Sequence, residues 1–136
     1  MNLDRKFFKN DAAFQRFENI NPKLQEIALD AIEYALKIGV ENPIITETFT
    51  TQEEDVLMNR VSSTHREGRA FDFRVIDWNG EQIDAMLKYL TDKYNDIGAV
   101  TSSGERVVAL YHDNGHGPHF HIQLDKTFEV KNLFLS

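Results

Sequence analysis

Residues 62–75 read SSTHREGRAFDFRV, a polar run with a glycine at 68 that passes into alternating large apolar and small or charged residues. That alternation predicts a half-buried strand, with Phe71, Phe73 and Val75 turned to the core and Ala70, Asp72 and Arg74 on the opposite face. Asp72 then stands on a sheet surface, with His65 seven positions earlier in the approach to the strand. Two readings are open here. One is a surface loop entering a strand with its polar residues in water; the other is a His65–Asp72 pair holding a metal whose remaining ligands lie elsewhere.

The same parity applies to PHFHIQL, residues 118–124. Phe120, Ile122 and Leu124 face inward, and His119, His121 and Gln123 share the outer face. Of the five histidines, four stand at 112, 116, 119 and 121, and the fifth is His65. A lone histidine is ordinarily a surface or structural residue, which is the reading given to His112. The HGPHFH cluster is different, because several imidazoles on one face of a chain that also offers His65 and Asp72 favour a metal. Two histidines and one carboxylate suit zinc and leave a fourth position for a water that ionises near neutral pH.

Composition limits the alternatives. The chain has 136 residues, 41% of them hydrophobic, with ten Phe, which is enough for one core and predicts a single domain over 1–136. Fifteen basic against 22 acidic residues leave a net charge of -7, with no basic run, so no footprint for nucleic acid is present. The absence of cysteine excludes disulfides, thiolate ligands and cysteine nucleophiles, so any metal sits on nitrogen and oxygen. The opening MNLDRKFFKNDAAFQRF interleaves charges with aromatics and lacks a signal-peptide core, and no apolar run reaches membrane-spanning length. The expectation is a soluble protein without signal peptide and without a membrane partner.

Helix and strand signals are mixed. Asn21-Pro22 ahead of KLQEIALDAIEYALKIG predicts a capped helix ending at Gly39, with Leu24, Ile27, Ala28, Ala31, Ile32, Ala35 and Leu36 on one face. ENPIITETFT predicts a strand opened by Pro43, and Thr51 to Glu54 form a capping-box pattern for a short helix through about Asn59. Ile83, Met86, Leu87, Leu90 and Tyr94 recur at helical spacing between Asn79 and about Asn95. ERVVALYH and PHFHIQL read as strands on either side of a glycine-rich turn, whereas 1–18 and 126–136 carry only weak signals. The predicted fold is α+β: a small antiparallel sheet with helices packed on its apolar face and a zinc site on the other.

These residues carry a resemblance. S-x-H-x-x-G-x-A-x-D is matched by Ser63, His65, Gly68, Ala70 and Asp72, and H-x-H by His119 and His121. Together they resemble the zinc metallopeptidase superfamily of lysostaphin-type endopeptidases, D-alanyl-D-alanine peptidases and the hedgehog signalling domain. The nearest likeness is to D-alanyl-D-alanine carboxypeptidases, murein endopeptidases and phage endolysins that cut peptidoglycan stem peptides. The motifs cover 62–76 and 115–125, and the order of elements between them agrees with that fold.

The resemblance implies that His65, Asp72 and His121 bind Zn2+, with His119 beside the metal as general base or oxyanion donor. His116, three positions before the H-x-H pair, matches a histidine of the murein endopeptidases and would assist it. Gly68 would allow a tight turn between ligands, Ala70 would leave room below the metal, and Ser63 would hydrogen-bond around it; Glu67 and Arg69 read as solvated. Two positions depart from the dipeptidase branch: Pro118 replaces its glutamate, and Thr50 stands where an arginine would meet substrate charge. An internal peptide bond is then the better expected substrate, unless Arg60 or Arg74 reaches a terminal carboxylate. The implied activity is hydrolysis of a peptide bond in a peptidoglycan stem peptide or muropeptide, by a phage or prophage lysin or a cytoplasmic peptidase. The alternative is a zinc-stabilised binding or virion-structural module of the same fold without hydrolysis.

Overall fold

The computed structural model describes residues 3–59, 62–113 and 117–128. Its four-stranded sheet is antiparallel throughout, in the order β1 (Ile44–Glu47), β2 (Ala70–Arg74), β6 (His119–Gln123), β5 (Ala109–His112). Phe71, Phe73, Phe120 and Ile122 are fully buried in one cluster with residues of helices α2 (Pro22–Lys37) and α4 (Gly80–Tyr94). The predicted strand parity therefore holds, and the α+β architecture with it.

Local chemistry explains the helices. The Asn21 side chain accepts the Lys23 N–H and Pro22 occupies the first turn of α2. Asn79 and Gln82 form a reciprocal capping box at the start of α4. The two helices are clamped together by Asp30, whose carboxylate accepts from the Tyr89 and Tyr94 hydroxyls and from Lys93. Leu36, expected on the inner face of α2, is instead 45% exposed. It lies about 120° around the helix from Leu24, at the edge of the apolar stripe.

Three strand and helix boundaries differ from expectation. The ENPIITETFT strand shortens to β1, which has a register shift between Ile45 and Glu47. Beyond it, Thr48 leaves the ladder, its hydroxyl donating to the Ala13 carbonyl. The capping-box helix α3 (Gln52–Leu57) stops two residues before Asn59, which takes a positive φ of 53°. ERVVALYH is two strands rather than one. Val108 gives its N–H to the Asn95 side chain, so β4 (Arg106–Val107) pairs with β3 (Ala99–Val100) and only β5 joins the main sheet.

The weakly patterned N-terminus is also structured. Asn10 caps the short helix α1 (Asp11–Arg16), and Phe8 bridges Ile45 at the edge of β1 while packing edge-on against Phe14 and Phe17. This segment forms a wall beside the outer face of the sheet. No helix among the described residues is long and apolar enough to cross a membrane.

Gly98 is where the small sheet touches the main one, through its bridge to Leu124. A Cβ there would meet the Val108 nitrogen at 2.4 Å and the Val107 carbonyl carbon at 2.5 Å, both backbone atoms that cannot swing aside. Gly98→Ala is expected to destabilise the protein by about 1–3 kcal/mol, the usual cost of overpacking. Urea unfolding of the two proteins measures it.

Candidate metal centre

The strand register puts Asp72 directly opposite His121, at the middle of the sheet's outer face. His65 reaches the same point from a turn, Thr64 to Gly68, that closes on itself through Gly68 N–H to the His65 carbonyl. Gly68 has φ +72°, a conformation that favours glycine, so the motif's glycine is required by the turn that returns the chain from His65 to β2. Ala70, on the same face as Asp72, is fully buried.

His65 Nε2 lies 3.1 Å and His121 Nδ1 2.9 Å from the same oxygen, Asp72 Oδ1. One ligand atom from each of the three residues falls within 4.8 Å of the others, so the group can hold a metal ion. Around a tetrahedral ion with bonds near 2.0–2.1 Å, neighbouring ligands sit roughly 3.3 Å apart, close to the observed spacings.

Donor chemistry makes the same point independently. His65 Nδ1 lies 2.7 Å from the Thr48 carbonyl, which only accepts, so Nδ1 carries the proton. In a neutral imidazole Nε2 then bears a lone pair, and it faces a carboxylate oxygen that also bears lone pairs. A proton, on His65 or on the carboxyl, or a metal ion therefore lies between them. His121 Nε2 meets the Thr64 hydroxyl at 3.2 Å, a group able to donate or accept. With a metal on Nδ1, His121 would donate from Nε2 to Thr64, and both imidazoles would be oriented by second partners, as metal-bound histidines ordinarily are.

Electrostatics follow the geometry. Burial pushes the Asp72 carboxyl up, but the charge of His65 and the hydrogen bond from His121 outweigh it and hold the group well below the ordinary carboxylate range. The carboxylate is therefore ionised at neutral pH, as a ligand must be.

The remaining predicted residues divide. His119 shares the outer face, opposite Arg74 on one side and His112 on the other, and its Nδ1 donates to the Gly117 carbonyl at 3.1 Å. His116, Asn114, Gly115 and Arg60 lie outside the described residues. The Ser63 hydroxyl donates to Glu67, 2.7 Å away, so the hydroxyl that meets a ligand is Thr64's. Glu67 and Arg69, expected to be solvated, are part of the framework: Arg69 donates to Glu67 and to the Leu124 carbonyl. Thr50 is buried, with its hydroxyl donated to Asp55 at 2.7 Å.

Two participants were not singled out in the sequence. His112, read as an ordinary surface residue, has its ring 5.7 Å from that of His119 and 6.1 Å from that of His121. Burial, then the charges of His121 and His119, push its imidazole below the usual range. The strand parity of ALYH held this signal, since His112 pairs with His119 across the ladder. Glu47, opposite Asp72 on β1, lines a cleft of about 460 Å³ together with Lys9, Met58, Arg74, Ile76 and His119. Asp72 lies at the border of that cleft.

Three outcomes test the centre. Asp72→Ala or His121→Ala is expected to abolish binding of a stoichiometric divalent ion, read by elemental analysis after dialysis. Thr64→Val should weaken affinity about 10- to 100-fold, the usual cost of removing an outer partner. Because the folded pKa of Asp72 lies below the unfolded value near 3.9, its contribution to stability is complete above that pH and declines as pH falls through the folded value. The urea midpoint of metal-free protein should fall with acidification in this range, and Asp72→Asn should flatten the dependence. Comparisons of the chain with protein-family models, with curated proteins and with solved structures find no match.

Proposed function

We propose that this protein is a zinc-dependent peptidase that hydrolyses a peptide bond in bacterial peptidoglycan, in the manner of phage endolysins and murein endopeptidases. One observation carries the reading. Asp72 of S-x-H-x-x-G-x-A-x-D and the second histidine of H-x-H, 49 residues apart, meet with His65 around one oxygen at the border of a cleft. The motifs were matched by letter, and their convergence is what a shared metal demands.

Nitrogen and oxygen donors without cysteine, three in number, fit a zinc site with an open fourth position. A zinc ion bound there supplies Lewis-acid polarisation of a carbonyl and a water acidified to near neutral pH. The protein's own residues supply the rest. His65, Asp72 and His121 hold the ion, while Thr48 and Thr64 fix the orientation of the two rings. His119 lines the cleft, and with Nδ1–H committed to Gly117 its Nε2 is the nitrogen left to accept a proton. It is positioned to take a proton as the bond is attacked and to return it to the leaving amine. The α+β architecture, with core helices behind the sheet and the His–Asp–His group in front, supports placing the chain with the hedgehog and D-alanyl-D-alanine peptidase folds.

The test separates metal from chemistry. His119→Ala should keep one equivalent of zinc and lose about 10²- to 10⁴-fold in cleavage of purified peptidoglycan, the ordinary contribution of a general base. A variant that cleaves as fast as the parent removes His119 from the mechanism. Zinc retention by a parent that leaves peptidoglycan intact would favour the non-catalytic, zinc-stabilised module instead.

A further inference from the structure

β5 and β6 set a second pair of imidazoles side by side on the outer face of the sheet. His112 and His119 are direct partners in the β5–β6 ladder, so their side chains rise from facing positions on one surface. Their ring centroids are 5.7 Å apart, with the planes tilted by 36°. β5 is an edge strand of the main sheet and His112 is exposed on it, so the pair is open to solutes. His121, a member of the His65–Asp72–His121 group, has its ring 6.1 Å from that of His112. It is engaged elsewhere, with Nδ1 on Asp72 and Nε2 on the Thr64 hydroxyl.

The ring separation indicates what this pair can hold. An ion bound at about 2.0–2.1 Å by one nitrogen of each of two imidazoles, at a tetrahedral angle, sets their ring centres about 5 Å apart. His65 and His121, in the first centre, have their centroids 5.2 Å apart. His112 and His119 come within about half an ångström of that value. The nitrogens are also available. His119 Nδ1 donates to the Gly117 carbonyl, so Nε2 bears its lone pair. No hydrogen bond from another described residue engages either nitrogen of His112, and in each neutral tautomer one of them carries a lone pair.

We infer that His112 and His119 form a second metal site, for a divalent ion of the Zn2+, Ni2+ or Cu2+ class, separate from the His65–Asp72–His121 centre. Imidazole suits these ions, whereas Mg2+ and Ca2+ require oxygen ligands, and water fills the remaining positions. The first centre offers a buried carboxylate beside two imidazoles, and the second offers two neutral rings alone. The second site is therefore the weaker one and fills only when metal exceeds one equivalent. At lower metal the His119 Nε2 stays free for proton transfer. The inference goes beyond the peptidase reading and does not depend on it.

Calorimetric titration of the metal-free, tag-free full chain with Zn2+ tests the site. The parent should show two classes of one equivalent each, the second weaker by about tenfold or more for want of a charged ligand. His112→Ala should lose the second class and keep the first, whereas Asp72→Ala should lose the first and keep the second. Mg2+ in large excess should displace neither. In NMR spectra of the parent, the ring protons of His112 and His119 should shift together as the second equivalent is added. A parent that binds one equivalent only, through Asp72, overturns the site, as does a second class that survives His112→Ala. If the first centre takes no ion, the peptidase reading fails, and a single class lost in His112→Ala still supports the second site. Should His112→Ala not fold, the ring protons decide: shifts at both histidines support the site, and shifts at neither overturn it.

Discussion

A buried carboxylate shared by two imidazoles is the constraint on which this molecule is organised. Asp72 is 6% exposed, and an ionised group so far from water persists only where cations and hydrogen-bond donors replace its hydration. His121 is delivered by the β2–β6 ladder, and His65 by the turn that closes at Gly68. The Thr48 carbonyl then commits the His65 proton away from the carboxylate, which leaves the space between them in need of positive charge. Thr48 is the first residue past the end of β1.

The sheet performs two tasks through one periodicity. Residues alternating along β2 and β6 send Phe71, Phe73, Phe120 and Ile122 into the core and Asp72, Arg74, His119 and His121 outward. A slip of one residue between these strands would bury the ligands and expose the aromatics, so the packing that stabilises the fold also fixes the site's register. Buried phenylalanines on one side make the geometry on the other stiff. That stiffness suits a metal site, which tolerates little variation in ligand spacing.

Much of this was legible in the chain. Parity alone placed Asp72 and the H-x-H pair on one face, and capping residues located both long helices, because these signals are local and depend on dihedral preference and side-chain direction. What was hidden is tertiary. No local pattern says that the Val108 N–H goes to Asn95 and divides one apparent strand in two. None says that Thr64 rather than Ser63 meets His121, or that Arg69 and Glu67 brace the turn instead of facing water. His112 was legible in principle, since the parity that selected His119 also applies to its partner strand, but register between strands is a long-range property. The N-terminal segment carried few cues because its structure comes from packing: Phe8 and Phe17 are buried against the sheet edge without a periodic apolar face of their own.

That segment completes the argument about the cleft. A sheet face bearing this His–Asp–His group would by itself be open to solvent on all sides, where an exposed ion pair contributes little and water competes for every polar contact. Lys9 and Asn10 stand along one side of the face, held by the Lys9 N–H to the Ile45 carbonyl, and Met58 comes from the residue after α3. The outer face of β1 and β2 becomes a floor with walls. The cleft carries both signs of charge, with Glu47 opposite Asp72 in the ladder and Arg74 and Lys9 among its lining residues.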